Sequence, residues 1–253
     1  MTSLEFRDRL ARRARRAKAP LTIAMLDPLE AYYRLLAHWN VKINLTALPL
    51  DPPTDETFDR LLVEPLAAAP HVAGGRTSSG GQTGVRPHSD HAVVPDRGRT
   101  RVGPHSDAAV WVDLGSGGGS PAIPLLVARP GLNLTMIESK SRKGAFLREA
   151  VRELGLSGSA TVLDKRFEDV ACQPRYRQSA DLVTVRAVRA DDELFSIAAE
   201  LLKPDGKLHL FRPAHDAAPD PPRFTRTATV RLNDSPPAFL SSYRRVFHVE
   251  QSG

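Results

Sequence analysis

From residue 110 onward, short apolar runs alternate with longer stretches whose apolar positions recur every three or four residues. The runs at 110–114, 133–138, 160–163, 181–185 and 207–211 read as strands, the first of them apolar except for Asp113. The stretches between them predict helices over about 121–128, 141–154 and 191–202. In the second of these helices Phe146, Leu147, Ala150, Val151 and Leu154 share a face, and Gly155 follows as a stop. In the third, Leu194, Ile197, Ala198 and Leu201 do the same. Strands that alternate with helices predict a parallel sheet covered on both faces. Residues 225–232 and 242–249 are two further strand candidates, placed as an antiparallel pair at one sheet edge.

The first part of the chain has a different pattern. Leu29, Tyr32, Tyr33, Leu36 and Trp39 follow helical spacing. Asp27 as cap, Pro28 in the first turn and Glu30 closing a capping box predict that this helix starts at Asp27. A turn at 51–53 and a second short helix carrying Phe58, Leu61, Leu62 and Leu66 follow, ending near Pro70. Residues 74–109 are rich in Gly, Ser, Pro, Arg and His and poor in large apolar residues. Such a composition buries too little surface to order itself. The expected organisation is therefore a basic arm (1–26), a helical extension (27–73), a flexible low-complexity insertion (74–109) and an α/β core (110–253).

Composition adjusts this picture only slightly. The chain of 253 residues has 41% hydrophobic residues, enough for a core. Its one cysteine, Cys172, excludes an intramolecular disulfide and cysteine-based metal clusters. No apolar run approaches the roughly 18 residues of a membrane span. A cytoplasmic monomer without metal or membrane attachment is expected. The formal net charge is +6, and residues 1–20 hold seven basic against two acidic residues. That arm is either a solvated tail or a phosphate-neutralising segment. The insertion contains a near repeat with His88, Asp90, His91, His105 and Asp107. These are metal-ligand types, but a duplicated flexible loop explains them without a metal.

The candidate chemistry lies just after the first strand. There the chain reads Asp113-Leu114-Gly115-Ser116-Gly117-Gly118-Gly119-Ser120-Pro121. A strand, a glycine turn and a helix start, with Ser120 as cap, form a nucleotide-type cradle. The dinucleotide pattern G-x-G-x-x-G fails, because its third position falls on Ser120. The pattern Asp113-x-Gly115-x-Gly117-x-Gly119 instead resembles the first motif of class I methyltransferases that use S-adenosyl-L-methionine (SAM). That resemblance implies a Rossmann-like sheet whose glycine turn packs on the methionine part of the cofactor. Glu138, 23 positions after Gly115, ends the second strand where a carboxylate accepts both ribose hydroxyls. Asp164-Lys165-Arg166-Phe167-Glu168-Asp169 follows the third strand, where the class places its adenine loop. Phe167 would pack on the ring and Glu168 would reach its edge.

The acceptor is narrowed by elimination. No Pro-Cys pair accompanies Cys172, which argues against cytosine C5 chemistry. The fourth strand ends Val185-Arg186-Ala187-Val188, without the proline turn used for exocyclic amines. A free lone pair needs neither device, and guanine N7 is such a target.

A longer set of residues resembles one family. The segment Leu36-x-x-Trp39-Asn40-x-x-Ile43-Asn44-Leu45-Thr46 and the stretch from Val112 to Leu125 are its most specific marks. Glu138-Ser139-x-x-x-Lys143-x-x-Phe146-Leu147, Arg166-x-Glu168 and Arg186-Ala187 complete the set. Together they resemble the RsmG (GidB) family of bacterial 16S ribosomal RNA (guanine-N7)-methyltransferases. The resemblance implies SAM as cofactor and 16S rRNA or the small ribosomal subunit as partner. It implies cofactor contacts by Gly115, Ser120, Phe167, Glu168 and Arg186, in addition to Asp113, Gly117, Gly119 and Glu138 of the motif reading. Arg186, at the strand end where the acceptor would sit, is the candidate catalytic residue, with orientation as its expected role. The chain departs from the family at Leu61, where a histidine is usual, at Gly118 and Ala122, at Phe211-Arg212-Pro213, and in its long insertion. On the residues alone, two other readings stay open: a SAM-dependent enzyme acting on another RNA or a small molecule, and a non-catalytic nucleotide- or RNA-binding module.

Overall fold

Strand β1 (Ala109–Leu114) runs through the middle of a seven-stranded sheet, where both its faces are covered. Its side chains alternate between two cores: Ala109 and Trp111 enter one, Val112 and Leu114 the other. The computed structural model describes residues 1–72, 108–213 and 220–246. The expected insertion, with its histidine repeat, lies outside the described residues except for 108–109.

β1 pairs in parallel with β2 (Leu132–Ile137) on one side and β4 (Ala180–Arg186) on the other. β3 (Ala160–Leu163) extends the sheet beyond β2, and β5 (Leu202–Arg212) extends it beyond β4, both in parallel. β7 (Pro237–Arg245) is antiparallel to β5, and β6 (Phe224–Asp234) is antiparallel to β7. The order is β3-β2-β1-β4-β5-β7-β6. This is the class I SAM-dependent methyltransferase fold, Rossmann-like, with the C-terminal antiparallel pair expected at one edge. Successive strands are added outward to one side of β1 (β2, β3) and then to the other (β4, β5), so a crevice opens beyond the carboxyl ends of β1 and β4, where the order switches.

Helices α1 (Ser3–Arg16), α2 (Ile23–Asn40), α3 (Asp55–Phe58) and α4 (Glu64–Ala68) precede the sheet. A π-helical turn, Asp59–Val63, joins the last two. They cover the same face as α5 (Ala122–Ala128) and α6 (Ser141–Glu153). On the opposite face lie α7 (Phe167–Ala171) and α8 (Asp192–Leu201). No helix among the described residues is long and apolar enough to cross a membrane.

Several local expectations are corrected by tertiary contacts. The basic N-terminal segment is a docked helix, not a solvated tail. Phe6, Leu10 and Ala14 sit four residues apart on one face and are buried. The Phe6 ring lies 5.4 Å from Tyr33 and 5.3 Å from Phe58. The arginines beside that stripe meet carboxylates: Arg7 pairs with Asp27 and Glu30, Arg9 with Asp55, and Arg13 with Asp55 and Asp59. Asp27 and Glu30 are thus engaged by α1 and form no capping box. Helix α2 begins earlier, at Ile23, and carries Pro28 within it. Likewise Ser120 caps nothing, since α5 begins at Ala122 with Pro121 in the cap position. The fifth strand starts at Leu202, ahead of the expected 207, with a break in register between the pairs Ala180–Leu202 and Leu182–Lys207. The last strand starts at Pro237, ahead of the expected 242.

Docking of α1 sets a stability test. Phe6→Ala should lower the unfolding free energy by about 3–5 kcal/mol, the range for buried aromatic truncation. Urea unfolding followed by circular dichroism measures it. A change under about 0.5 kcal/mol, as for an exposed site, would contradict the packing.

Candidate functional site

The chain leaves β1 into the crevice through the glycine turn. The amides of Gly115 and Ser116 both donate to the Ile137 carbonyl of β2, at 2.9 and 3.1 Å. Gly117 takes a positive φ of 53°, and a Cβ placed there would meet only the Gly115 carbonyl oxygen, 3.7 Å away. Its main chain therefore presents an open face to a ligand. At Gly118 the need is close approach: a Cβ would lie 3.2 Å from the Leu45 carbonyl oxygen and 3.3 Å from Leu36. The Gly118 carbonyl accepts a 2.7 Å hydrogen bond from the Tyr32 hydroxyl of α2.

In front of the turn is a cavity of about 710 Å³. That size suits a nucleoside-type ligand. Gly115 to Gly118 and Ser120 form one wall, and Glu138, Phe167 and Arg186 to Val188 form others. Leu36, residues 45–48, Arg60 and Leu61 close it from the helical extension. Glu138 is buried, and both its oxygens accept main-chain hydrogen bonds: from Gly117 at 2.9 Å and from Lys140 at 2.8 Å. Each oxygen keeps a second lone pair for a ligand hydroxyl.

Asp113 stands elsewhere than the motif implies. It is 1% exposed and does not reach the cavity wall. Trp111 Nε1 donates to Thr184 Oγ1 at 2.8 Å, and Thr184 Oγ1 donates to Asp113 at 2.5 Å. This polar chain ties β1 to β4 beneath the turn. Burial pushes the Asp113 carboxyl up to about 6, with the Thr184 hydrogen bond opposing. Gly119 is also absent from the cavity wall; it faces Ile123 and Leu147. Glu168 is a third correction. Phe167 opens α7, so the next residue turns away by about 100°. Phe167 lines the cavity, while Glu168 enters a separate depression with Cys172 and Arg177.

Arg186 lies at the cavity, but its charge is already engaged. Its Nη2 pairs with Glu64 of α4 at 2.5 Å, and its Nη1 donates to the Arg60 carbonyl at 2.5 Å. The guanidinium lies 5.9 Å from the centre of the Phe211 ring. Burial lowers the Arg186 pKa from its ordinary value and raises that of Glu64, while the pairing opposes both shifts. Ser120 is on the cavity wall, yet its hydroxyl donates to the Leu61 carbonyl at 3.0 Å. Arg186 and Ser120 thus bind α4 and the π turn to the sheet.

Glu64 escaped the sequence reading. Its signal is a lone carboxylate within the apolar run Leu61-Leu62-Val63-Glu64-Pro65-Leu66. Asn40 has a different structural role: its side-chain oxygen accepts from the amides of Leu45 and Thr46, at 2.9 and 3.0 Å. That clamp places both residues in the cavity wall. Trp39 anchors the same segment to α6 through a 3.2 Å bond to Glu149.

Comparison with known proteins agrees with this geometry. A family model described as rRNA small subunit methyltransferase G (GidB) matches residues 101–219. The Stenotrophomonas maltophilia (strain K279a) protein named Ribosomal RNA small subunit methyltransferase G is 35% identical over 192 residues, covering 76% of this chain and 71% of that protein. This chain belongs to the rRNA small subunit methyltransferase G family. A Xanthomonas axonopodis pv. citri protein of the same name is 33% identical over 188 residues, 74% of this chain and 69% of its own length. Among solved structures, the putative methyltransferase yhhF from Escherichia coli aligns with 56% of this chain and 79% of its own, at 15% identity and a TM-score of 0.45. The span matched by the GidB model contains the glycine turn, Glu138, Phe167 and Arg186. The segment that supplies Leu45, Thr46 and Glu64 precedes it.

Two tests address the buried charges. Glu64→Ala leaves the Arg186 guanidinium buried without its carboxylate and should cost about 3–5 kcal/mol in denaturant unfolding. A joint Glu64→Leu/Arg186→Met replacement should recover most of it. For Asp113 the folded pKa of about 6 lies above the unfolded 3.8. Protonation therefore relieves the folded state first, and the penalty of the buried charge, full above pH 6, fades as pH falls toward 4. The stability of wild type relative to Asp113→Asn should improve by about 1 kcal/mol between pH 7 and pH 5. A difference independent of pH would contradict this assignment.

Proposed function

We propose that this chain transfers the methyl group of SAM to N7 of a guanine in 16S rRNA of the small ribosomal subunit. The observation that carries the reading is the cavity itself. An open glycine main chain, a fixed carboxylate at Glu138 and an aromatic ring at Phe167 converge beyond β1 and β4, in a chain of the rRNA small subunit methyltransferase G family. The residues fit the cofactor. Gly115 and Gly117 let the methionine part lie against the backbone, Glu138 accepts from the ribose hydroxyls, and Phe167 offers a face to adenine. SAM supplies an electrophilic methyl on a sulfonium.

The remaining task of the protein is alignment. Guanine N7 already carries the attacking lone pair, so no side chain has to remove a proton. Methylation at N7 leaves the base positively charged. A bare arginine beside it would oppose that charge. Arg186 instead reaches the cavity already paired with Glu64, so the pair adds little net charge. Its role in this reading is to hold the strand end, the π turn and Ser120 in register around the base. Leu45 and Thr46, clamped by Asn40, shape the opposite wall.

The test is incorporation of labelled methyl from SAM into unmethylated small-subunit rRNA, with mass spectrometry of the digested product. Wild type should bind SAM by calorimetry and yield 7-methylguanosine. Gly117→Arg should reduce SAM affinity by at least about tenfold, because its side chain enters the open face of the turn. Undiminished binding by that variant would remove Gly117 from the cofactor site. A product other than 7-methylguanosine, or methylation of small molecules only, would overturn the acceptor. SAM binding without turnover on any RNA would favour a non-catalytic module.

A further inference from the structure

We infer that the RNA backbone enters along a basic groove between the α2–α3 connection and the start of α6, and not along the arginine-rich N-terminal helix. The groove has a volume of about 460 Å³ and is lined by Lys42, Ile43, Asn44, Lys140, Arg142 and Lys143. Lys140 and Lys143 also line the main cavity, so the groove adjoins the cavity at these two side chains. Lys42, Lys140 and Arg142 are exposed. Among the described residues no carboxylate pairs with any of these four cations; the nearest partner of Lys42 is His38 Nε2 at 3.4 Å. Their charge is therefore available to an incoming polyanion. Ile43 gives the groove an apolar floor, and the neighbouring Val41 is 88% exposed.

The N-terminal helix has six arginines; Arg12, Arg15 and Arg16 are exposed and form no ion pair among the described residues, while the other three are engaged. Arg7, Arg9 and Arg13 are bound to Asp27, Glu30, Asp55 and Asp59. Phosphate contact at those three would have to displace carboxylates already in place, and no residue of α1 lines the main cavity. In the groove a phosphate displaces only water and counterions, which is the usual source of affinity for nucleic acid. The groove also ends where a target base must arrive. A strand whose phosphates lie on Lys42 and Arg142 is led past Lys140 and Lys143 to the mouth of the cavity. This inference rests on the proposed action on RNA for its biological meaning, while RNA binding tests it separately.

The experiment compares wild type, Lys42→Glu/Arg142→Glu and Arg15→Glu/Arg16→Glu. Arg15 and Arg16 are exposed on α1, remote in sequence from the groove. Affinity for an unmethylated small-subunit rRNA transcript is measured by fluorescence anisotropy across a salt series, with SAM calorimetry and methyl transfer alongside. The groove variant should lose about tenfold or more in RNA affinity, and its salt slope should fall by about 1.4, the value for two phosphate contacts to a single strand. Its SAM affinity should be unchanged, which shows that the fold and cofactor site persist. The N-terminal variant should bind RNA within about twofold of wild type. Wild-type RNA affinity in the groove variant, or an equal loss in the N-terminal variant, would overturn the inference. If the groove variant loses RNA affinity while wild type methylates no RNA, the groove stands and the proposed reaction fails. If wild type methylates rRNA and the groove variant does so equally well, the reaction stands and the groove fails.

Discussion

The close seating of Gly118 against the helical extension is the contact on which the cavity depends. A turn that exposes its main chain to a ligand has few side chains with which to hold itself. Here the hold comes from outside. The Tyr32 hydroxyl donates to the Gly118 carbonyl, and the backbone of Leu45 packs where a Cβ would otherwise be. From the sheet side, the Ile137 carbonyl and the Glu138 carboxylate accept three amides of the turn. The turn is fixed between two layers, and the side of Gly117 where a Cβ would stand stays free, because only its amide is engaged.

The same economy governs charge. Every deeply buried ion in the described site has a partner that limits its cost. Arg186 has Glu64, Asp59 has Arg13, and Asp113 has the hydroxyl of Thr184. These pairs stitch elements distant in sequence, so α1, the π turn and β4 depend on one another. Pairing also redistributes the electrostatic surface. Half of the arginines of α1 are neutralised by carboxylates of other elements, while three lysines and one arginine at the start of α6 and the α2–α3 connection stand unpaired beside the cavity. Net charge along the chain is therefore a poor guide to where a polyanion would meet this protein.

Much of the fold was legible before any coordinates. The five parallel strands, the helices between them and the closing antiparallel pair follow from apolar runs and helical stripes, because burial on both faces leaves a local record in composition. The glycine turn was legible for a similar reason: a tight turn with ligand access restricts the residue types it tolerates. Glu138 could be placed because it directly follows β2, and Phe167 because only three residues separate it from the end of β3. Glu168 and Gly119 were misplaced by one step of backbone rotation, which a motif does not encode. The insertion, including the expected histidine repeat, lies outside the described residues.

The chain by itself thus determined the order of its strands and helices and the chemistry of its central turn, since both are written in neighbouring residues. Tertiary structure alone decided that Arg186 is bound by Glu64, 122 residues away, and that Asn233 of β6 reaches Asp59, 174 residues away. It decided too that α1 docks, because Phe6 meets Tyr33 and Phe58 only where α1, α2 and α3 pack together. Such pairings depend on which surfaces meet once the core has formed. No local pattern of residues carries that information, and it is these pairings that turn a glycine motif into a walled cavity.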